Sequence, residues 1–329
     1  MYKVIDLFCG AGGFALGFQK AGFQILCAID QNEQVLNTYS RNISCEFVIN
    51  ADISTLHSLD IINLVGISNL PDVIIASPPC EPYTAANYKR RKKPLQRLYD
   101  DPIGRLVLDA IRLIGDLNPK AFVIENVKGL IEGDLKDALI REFEYVGIKK
   151  IYFNILNAEH YGCPSKRSRV FISNVELKLK REKITPDQYV INVLPENSIY
   201  EPLPNHNEIT IMKSYMNKLA KLKQGGALVY FRSARGKKHP IRNWVRLKPY
   251  ELAPTVMGNS RFIHPFEDRA LTVREHARLM TFPDDYTFIG GIESQFDQVG
   301  EAVPPLLSYK IAIKIKEYLA MEEKISLQI

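Results

Sequence analysis

No apolar run in the sequence is long enough to cross a bilayer, so a membrane partner is not expected. The chain opens on an apolar pattern broken by Asp6, which is not the pattern of a secretory signal. There are five cysteines, Cys9, Cys27, Cys45, Cys80 and Cys163, and no C-x-x-C pair. An odd count without paired spacing argues against a disulfide framework and against a zinc site, so no metal is expected. It favours a reducing compartment, and the cytoplasm is the expected location. The dinucleotide spacing G-x-G-x-x-G is missing, as are internal repeats and low-complexity tracts. Two segments contain no acid at all. One, 88 to 97, carries Lys89, Arg90, Arg91, Lys92, Lys93 and Arg97; the other, 231 to 248, carries Arg232, Arg235, Lys237, Lys238, Arg242, Arg246 and Lys248. In a chain of net charge +6, such stretches are either solvated loops or contacts for a polyanion.

With 329 residues, 46% hydrophobic and 24% charged, the chain suits one large domain plus a smaller one. Residues 2 to 8 read as a buried strand, followed by a glycine turn and a helical pattern ending near Gly22. Further strands are expected at 24–29, 47–49, 72–76, 121–124, 148–156 and 169–173. Helices are expected at 31–41, 104–117 and 135–143. Alternation of this kind predicts an α/β fold with a parallel, doubly wound sheet. From about residue 178 the alternation stops and prolines and short strands take over. The domains expected are 1–177 completed by 298–329, and a smaller one over 178–297. A last helix, 304 to 321, starts on a proline.

Ligands of such sheets lie beyond the carboxyl ends of the strands. Each expected strand end here carries an unusual residue set. The first is Gly10-Ala11-Gly12-Gly13, either a tight loop or a place where a cofactor approaches the backbone. Asp30, about twenty residues on, stands where an acid binds ribose hydroxyls. Asp52 could accept from an adenine amino group; each acid alone reads equally as a cap or turn residue. Ser77-Pro78-Pro79-Cys80-Glu81-Pro82 is a stiff loop suited to holding a nucleophile, although a single cysteine is more often a small buried hydrophobe. Glu125 at a buried strand end is costly without a partner or a task. Arg167 and Arg169, two apart on a strand, are expected to point together toward an anion or carbonyl oxygen.

These segments together resemble the cytosine-5 DNA methyltransferases of the compact restriction-modification type. The resemblance runs from Asp6 to about Leu307 through D-L-F-C-G-A-G-G-F, S-P-P-C, E-N-V, S-K-R-S-R-V-F, R-A-L-T-V-R-E-H-A-R-L-M-T-F-P and Q-V-G-E-A-V-P-P, in the family's order. It implies S-adenosyl-L-methionine as cofactor and a specific double-stranded DNA sequence as partner, with a monomer as the default. By the same resemblance Phe8, Gly10, Ala11, Gly12 and Gly13 border the cofactor, with Asp30 on its ribose and Asp52 on its adenine. Gln31, Ile53, Pro79, Leu106, Glu301 and Ala302 line the same pocket. Cys80 is the implied nucleophile and Glu125 the residue on the cytosine ring. Arg169 contacts the ring carbonyl, with Arg167 beside it. The basic residues Lys89, Arg90, Arg91, Lys92, Lys93, Arg232, Arg235, Lys237 and Lys238 are expected on DNA, and about 178–253 is the implied target-recognition region.

The sequence departs from the family pattern at Glu81, Ser165 and Glu301, where the family mostly has Gln, Gln and Asn. Glu81 places a negative charge beside the expected nucleophile, which disfavours the thiolate. Other readings are an exocyclic-amino methyltransferase, in which Cys80 and Glu125 have no role, a tRNA cytosine-5 methyltransferase, a DNA-binding homologue with an impaired site, and an oxidoreductase suggested by the glycine turn alone.

Overall fold

A computed structural model describes the chain except residues 68, 69, 86, 196, 197, 212, 233–237, 241, 242 and 327–329. The described residues form two compact units. The first comprises Met1–Asn157, Ser168–Lys180 and Ser308–Ile329; the second comprises Ala158–Arg167 and Arg181–Leu307. Segments 158–167 and 298–307, expected with the first domain, group with the second unit.

The first unit is built on a seven-stranded sheet. Its elements run β1 (Lys3–Leu7), α1 (Gly13–Lys20), β2 (Gln24–Asp30), α2 (Glu33–Asn42), β3 (Cys45–Asn50), α3 (Ser58–Val65), β4 (Val73–Ala76), α4 (Pro94–Tyr99), α5 (Leu106–Leu117), β5 (Ala121–Asn126), α6 (Leu135–Tyr145), β6 (Tyr152–Asn157) and β7 (Ser168–Ser173). The strand order is β3-β2-β1-β4-β5-β7-β6. The central strands are near-continuous apolar runs because helices cover both faces. Ile5, Leu7, Ile29, Ile74 and Ile124 join Val107, Ile111 and Ile114 of α5 in one core. In α5 the buried residues Val107, Ala110, Ile111, Ile114 and Leu117 recur at helical spacing, and Asn118 ends the helix in the left-handed region with φ 43°.

The doubly wound α/β class is as expected, with one correction. β1 to β5 are parallel, but β7 is antiparallel to both β5 and β6. The parallel pairings place Ile49, Ile29, Leu7, Ala76 and Ile124 in one row across the sheet. Each chain leaves that row into one of the segments singled out above. Because β7 runs the other way, it begins at the edge where the others end.

The second unit holds α7 (Val190–Val193), α8 (Lys213–Leu219), a hairpin of β8 (Tyr230–Arg232) and β9 (Lys238–Pro240), α9 (Val273–Leu279) and α10 (Ile292–Glu301). α11 (Pro305–Ser326) follows, and from Ser308 onward it belongs to the first unit. There the Ser308 hydroxyl donates to the Phe14 carbonyl and Lys316 Nζ to the Ala21 carbonyl. Among the described residues no helix is long and apolar enough to cross a membrane, and no cluster of His, Cys, Asp and Glu could hold a metal ion.

Candidate active site

At the sheet edge β1 runs into a turn with three left-handed residues, Phe8 (φ 55°), Gly10 (φ 52°) and Gly12 (φ 86°). A Cβ on Gly10 would meet nothing within 4 Å, so the backbone is open on that side. The turn is tied to β2. Gly10 N–H donates to Asp30 Oδ2 at 3.0 Å and Asn32 N–H to Asp30 Oδ1 at 2.9 Å. Burial raises the Asp30 carboxyl above its ordinary range, and these backbone donors oppose it. Asp52 lies two residues past β3, exposed, with Oδ1 accepting from Ser54 N–H at 2.9 Å. Behind the turn, Asp6 is fully buried and accepts from the Tyr39 hydroxyl at 3.1 Å. Pro79 and Leu106 are half-buried, Gln31 is exposed and Ile53 is buried.

The next strand end carries the thiol. Cys80 is half-buried, and the chain turns tightly after it, with Tyr83 and Thr84 N–H donating to its carbonyl at 3.0 and 2.9 Å. The Thr84 hydroxyl lies 3.8 Å from its sulfur. Burial is the largest influence on the thiol and pushes its pKa up; the charges of Glu125 and Glu81 push the same way. Thr84 and Arg169 oppose them without prevailing. The cost expected from Glu81 is therefore present, though burial and Glu125 outrank it.

Glu125 is the next-to-last residue of β5, 5% exposed, and Arg169 near the start of β7 pairs with it at 3.0 Å between Nε and Oε1. The N–H is not aimed at that oxygen, which accepts no hydrogen bond among the described residues. A buried carboxyl oxygen, a cation and a thiol thus stand together at one sheet edge, next to an open glycine turn. Residues 2–317 match the family described as C-5 cytosine-specific DNA methylase.

The chain belongs to that family.

Relatives agree along the whole length. M.MJ0563P of Methanocaldococcus jannaschii is 44% identical, with 96% of this chain and 100% of that protein covered. The type II methyltransferase M.DdeI of Desulfomicrobium norvegicum is 31% identical, covering 96% and 89%. Among solved structures, a prophage-encoded E. coli protein superposes with a TM-score of 0.75 at 24% identity, covering 97% and 100%. The S. pombe Dnmt2 methyltransferase gives 0.64 at 18%, covering 96% and 99%, a likeness of fold.

Several expectations for this DNA methylase need correction. Arg167 does not share the surroundings of Arg169. It precedes β7 and is 2% exposed, and its guanidinium donates to the carbonyls of Val256, Gly300 and Glu301 at 3.1, 2.9 and 3.3 Å. It secures the second unit's own backbone at the end of α10, where Glu301 and Ala302 lie. Ser165, the second departure, is buried and donates to the Leu279 carbonyl at 2.8 Å.

The basic loop is only partly available to a partner. Lys89, Lys92 and Lys93 are exposed and make no ion pair among the described residues. Arg90 instead donates to the Tyr83 carbonyl and to Glu132, both at 3.1 Å. Arg91 donates to the Asp100 carbonyl at 3.0 Å and lies 3.9 Å from Asp101. In the second stretch Arg246 is buried on Asp268 and three carbonyls, and Lys248 pairs with Glu251. Arg232 and Lys238 face each other in backbone register on the β8–β9 hairpin. Arg235, Lys237 and Arg242 lie outside the described residues.

Asn126, the middle residue of the E-N-V motif, has a structural partner that the motif alone does not reveal. Its Nδ2 donates to the Pro78 carbonyl at 2.9 Å, joining the turn after Glu125 to the loop before Cys80. The available signal was its place at a buried strand end, where an amide must find partners.

Proposed function

We propose that the chain methylates carbon 5 of a cytosine flipped out of a specific double-stranded DNA sequence, as the modifying partner in a restriction-modification pair. The observation that carries this reading is the meeting of Cys80, Glu125 and Arg169 at the edge where the glycine turn opens. The type II methyltransferase M.DdeI, alignable over nearly its whole length, supports the restriction-modification setting. In this reading the second unit reads the target sequence.

The residues at the strand ends fit S-adenosylmethionine. Backbone open at Gly10 admits a ligand closely, and the half-buried Asp30 and exposed Asp52 are acceptors suited to hydroxyl and amino donors. Phe8, Gly10, Ala11, Gly12, Gly13, Asp30, Gln31, Asp52, Ile53, Pro79 and Leu106 would hold it. When bound, it supplies an electrophilic methyl on a sulfonium.

Carbon 5 of cytosine is too weak a nucleophile by itself. As the Cys80 thiol gives up its proton to solvent, its sulfur bonds to carbon 6, and the electrons of the 5,6 double bond move into the ring. Glu125 holds a proton against ring N3, and Arg169 takes the charge on the carbonyl oxygen. After carbon 5 gains its methyl, it loses its proton to solvent and the returning double bond expels the thiolate. The base must leave the helix stack for this geometry. In the free enzyme burial raises the Cys80 thiol most, and the largest charge pushing the same way is that of Glu125. Sharing a proton between Glu125 and N3 lowers that charge, so base entry itself eases thiolate formation. Lys89, Lys92 and Lys93 would meet phosphates, which set affinity rather than sequence.

The test incubates the protein with tritiated S-adenosylmethionine and mixed-sequence duplex containing 5-fluorocytosine, beside tRNA and Cys80→Ser. Fluorine at carbon 5 blocks elimination, so the expected result is a labelled covalent DNA adduct that Cys80→Ser does not form. Sequencing the trapped DNA yields the site. Label in tRNA alone, or in neither, overturns the reading.

A further inference from the structure

The placement of Cys80 against Glu125 raises a question that the two residues do not answer. They leave the sheet on different strands, β4 and β5, so their separation depends on what joins the segments that follow. Three ties join them. The first is Asn126 to the Pro78 carbonyl, described above. The second is a backbone approach. A Cβ on Gly129 would lie 2.0 Å from the Tyr83 carbonyl oxygen, so only a residue without a side chain lets the two segments touch there.

The third is ionic. β5 continues through a 3-10 turn over Lys128–Ile131 to Glu132. Glu132 Oε2 receives Arg97 at 2.7 Å and Arg90 at 3.1 Å. Arg90 also donates to the Tyr83 carbonyl at 3.1 Å. Arg97, 3% exposed, donates to the Arg91 and Lys92 carbonyls at 2.8 and 3.2 Å. One carboxylate oxygen therefore gathers both guanidiniums that fold the basic loop.

We propose that Glu132, with Gly129 three residues before it, is a positioning residue that holds the Cys80 loop against the segment following Glu125 by gripping Arg90 and Arg97. It touches neither base nor cofactor and acts through the loop. The proposal rests on the catalytic reading above for its effect on turnover, but not for its effect on the loop.

The experiment compares wild type, Glu132→Gln, Glu132→Asp and Gly129→Ala as full-length proteins. Iodoacetamide labelling of Cys80 without DNA is followed by peptide mass mapping, with half-buried Cys45 as internal control. Turnover is measured on the trapped duplex sequence. In Glu132→Gln, Cys80 labelling is expected to rise about fivefold with Cys45 unchanged, because the loop opens locally. kcat is expected to fall about tenfold while KM for DNA stays within about twofold, as for lost positioning without lost binding. Glu132→Asp, which keeps the charge, falls between, and Gly129→Ala follows Glu132→Gln. Unchanged Cys80 labelling in both Glu132→Gln and Gly129→Ala overturns the proposal, as does a matching rise at Cys45, which marks general loosening. If labelling shifts as expected but wild type transfers no methyl group, the clamp stands and the catalytic reading fails.

Discussion

Arg169 reaches Glu125 at 3.0 Å because β7 runs antiparallel to β5. In a parallel strand, a residue at the start of β7 would sit at the opposite edge of the sheet from the end of β5. Reversal puts Phe171 opposite Glu125, and Arg169, two residues earlier on β7, is then close enough for its side chain to pair with the Glu125 carboxylate.

Removing Arg169 should therefore injure both chemistry and stability. Arg169→Ala is expected to lower kcat about a hundredfold, the usual scale for one oxyanion-type donor. It also leaves the Glu125 carboxyl buried without its cation, at a cost of about 3 kcal/mol. Urea unfolding of Arg169→Ala, Glu125→Gln and the double variant checks this. The double variant should regain most of the stability but none of the activity; additive losses would refute the pairing.

Cys80 reactivity should respond to its two acids. Since burial, Glu125 and Glu81 together push the thiol above its ordinary value, labelling of the free enzyme should keep accelerating with pH beyond the ordinary thiol range. Glu81→Gln should speed Cys80 labelling at a fixed pH of about 8, and Glu125→Gln should speed it more, in the order of their influence. Equal rates in wild type and both variants would show that burial alone sets the thiol.

DNA affinity should fall with salt, but less steeply than the number of basic residues suggests. Among the described residues, only Lys89, Lys92 and Lys93 of the loop's cations are exposed and outside ion pairs. Replacing each by Ala should reduce the slope of log affinity against log salt by about 0.9. Arg97→Gln should instead lower melting temperature, because Arg97 is buried and holds the loop from within. Filter binding across a salt series separates the two effects.

Acid should weaken the second unit in two stages. Burial lowers the His276 pKa from its ordinary 6.5 to about 4, so the fold favours the neutral ring. Its stabilisation is complete above pH 6.5, declines as pH falls, and is gone by about 4. Burial alone would raise the Glu275 carboxyl, but Arg269 and the Thr272 backbone bring it down from 4.5 to about 2. That contribution is complete above 4.5 and disappears as pH falls through 2. Each is worth about 3 kcal/mol at neutral pH. His276→Phe should flatten the stability curve between pH 6.5 and 4 while leaving the lower stage intact. Urea titrations across pH measure both.

Residue order carries the strand-helix alternation, the strand ends and the motif residues that lie on them. Apolar runs, glycine turns and the stiff Pro-Pro-Cys loop are local properties, and local sterics and burial write them directly into residue order. Strand direction was not among them: nothing in the apolar pattern of 169–173 distinguishes a parallel from an antiparallel neighbour. The fate of the arginines was equally hidden. Arg167 and Arg169 read alike within one motif, and Arg90, Arg97 and Arg246 read alike as cations of the two acid-free stretches. Arg167 holds three carbonyls, Arg97 folds a loop, Arg246 is buried on Asp268, and Arg169 pairs with Glu125. A guanidinium takes whichever acceptors the tertiary structure brings within about 3 Å. These partners lie 5 to 134 positions away in sequence, so only the folded chain decided which arginine paired with Glu125.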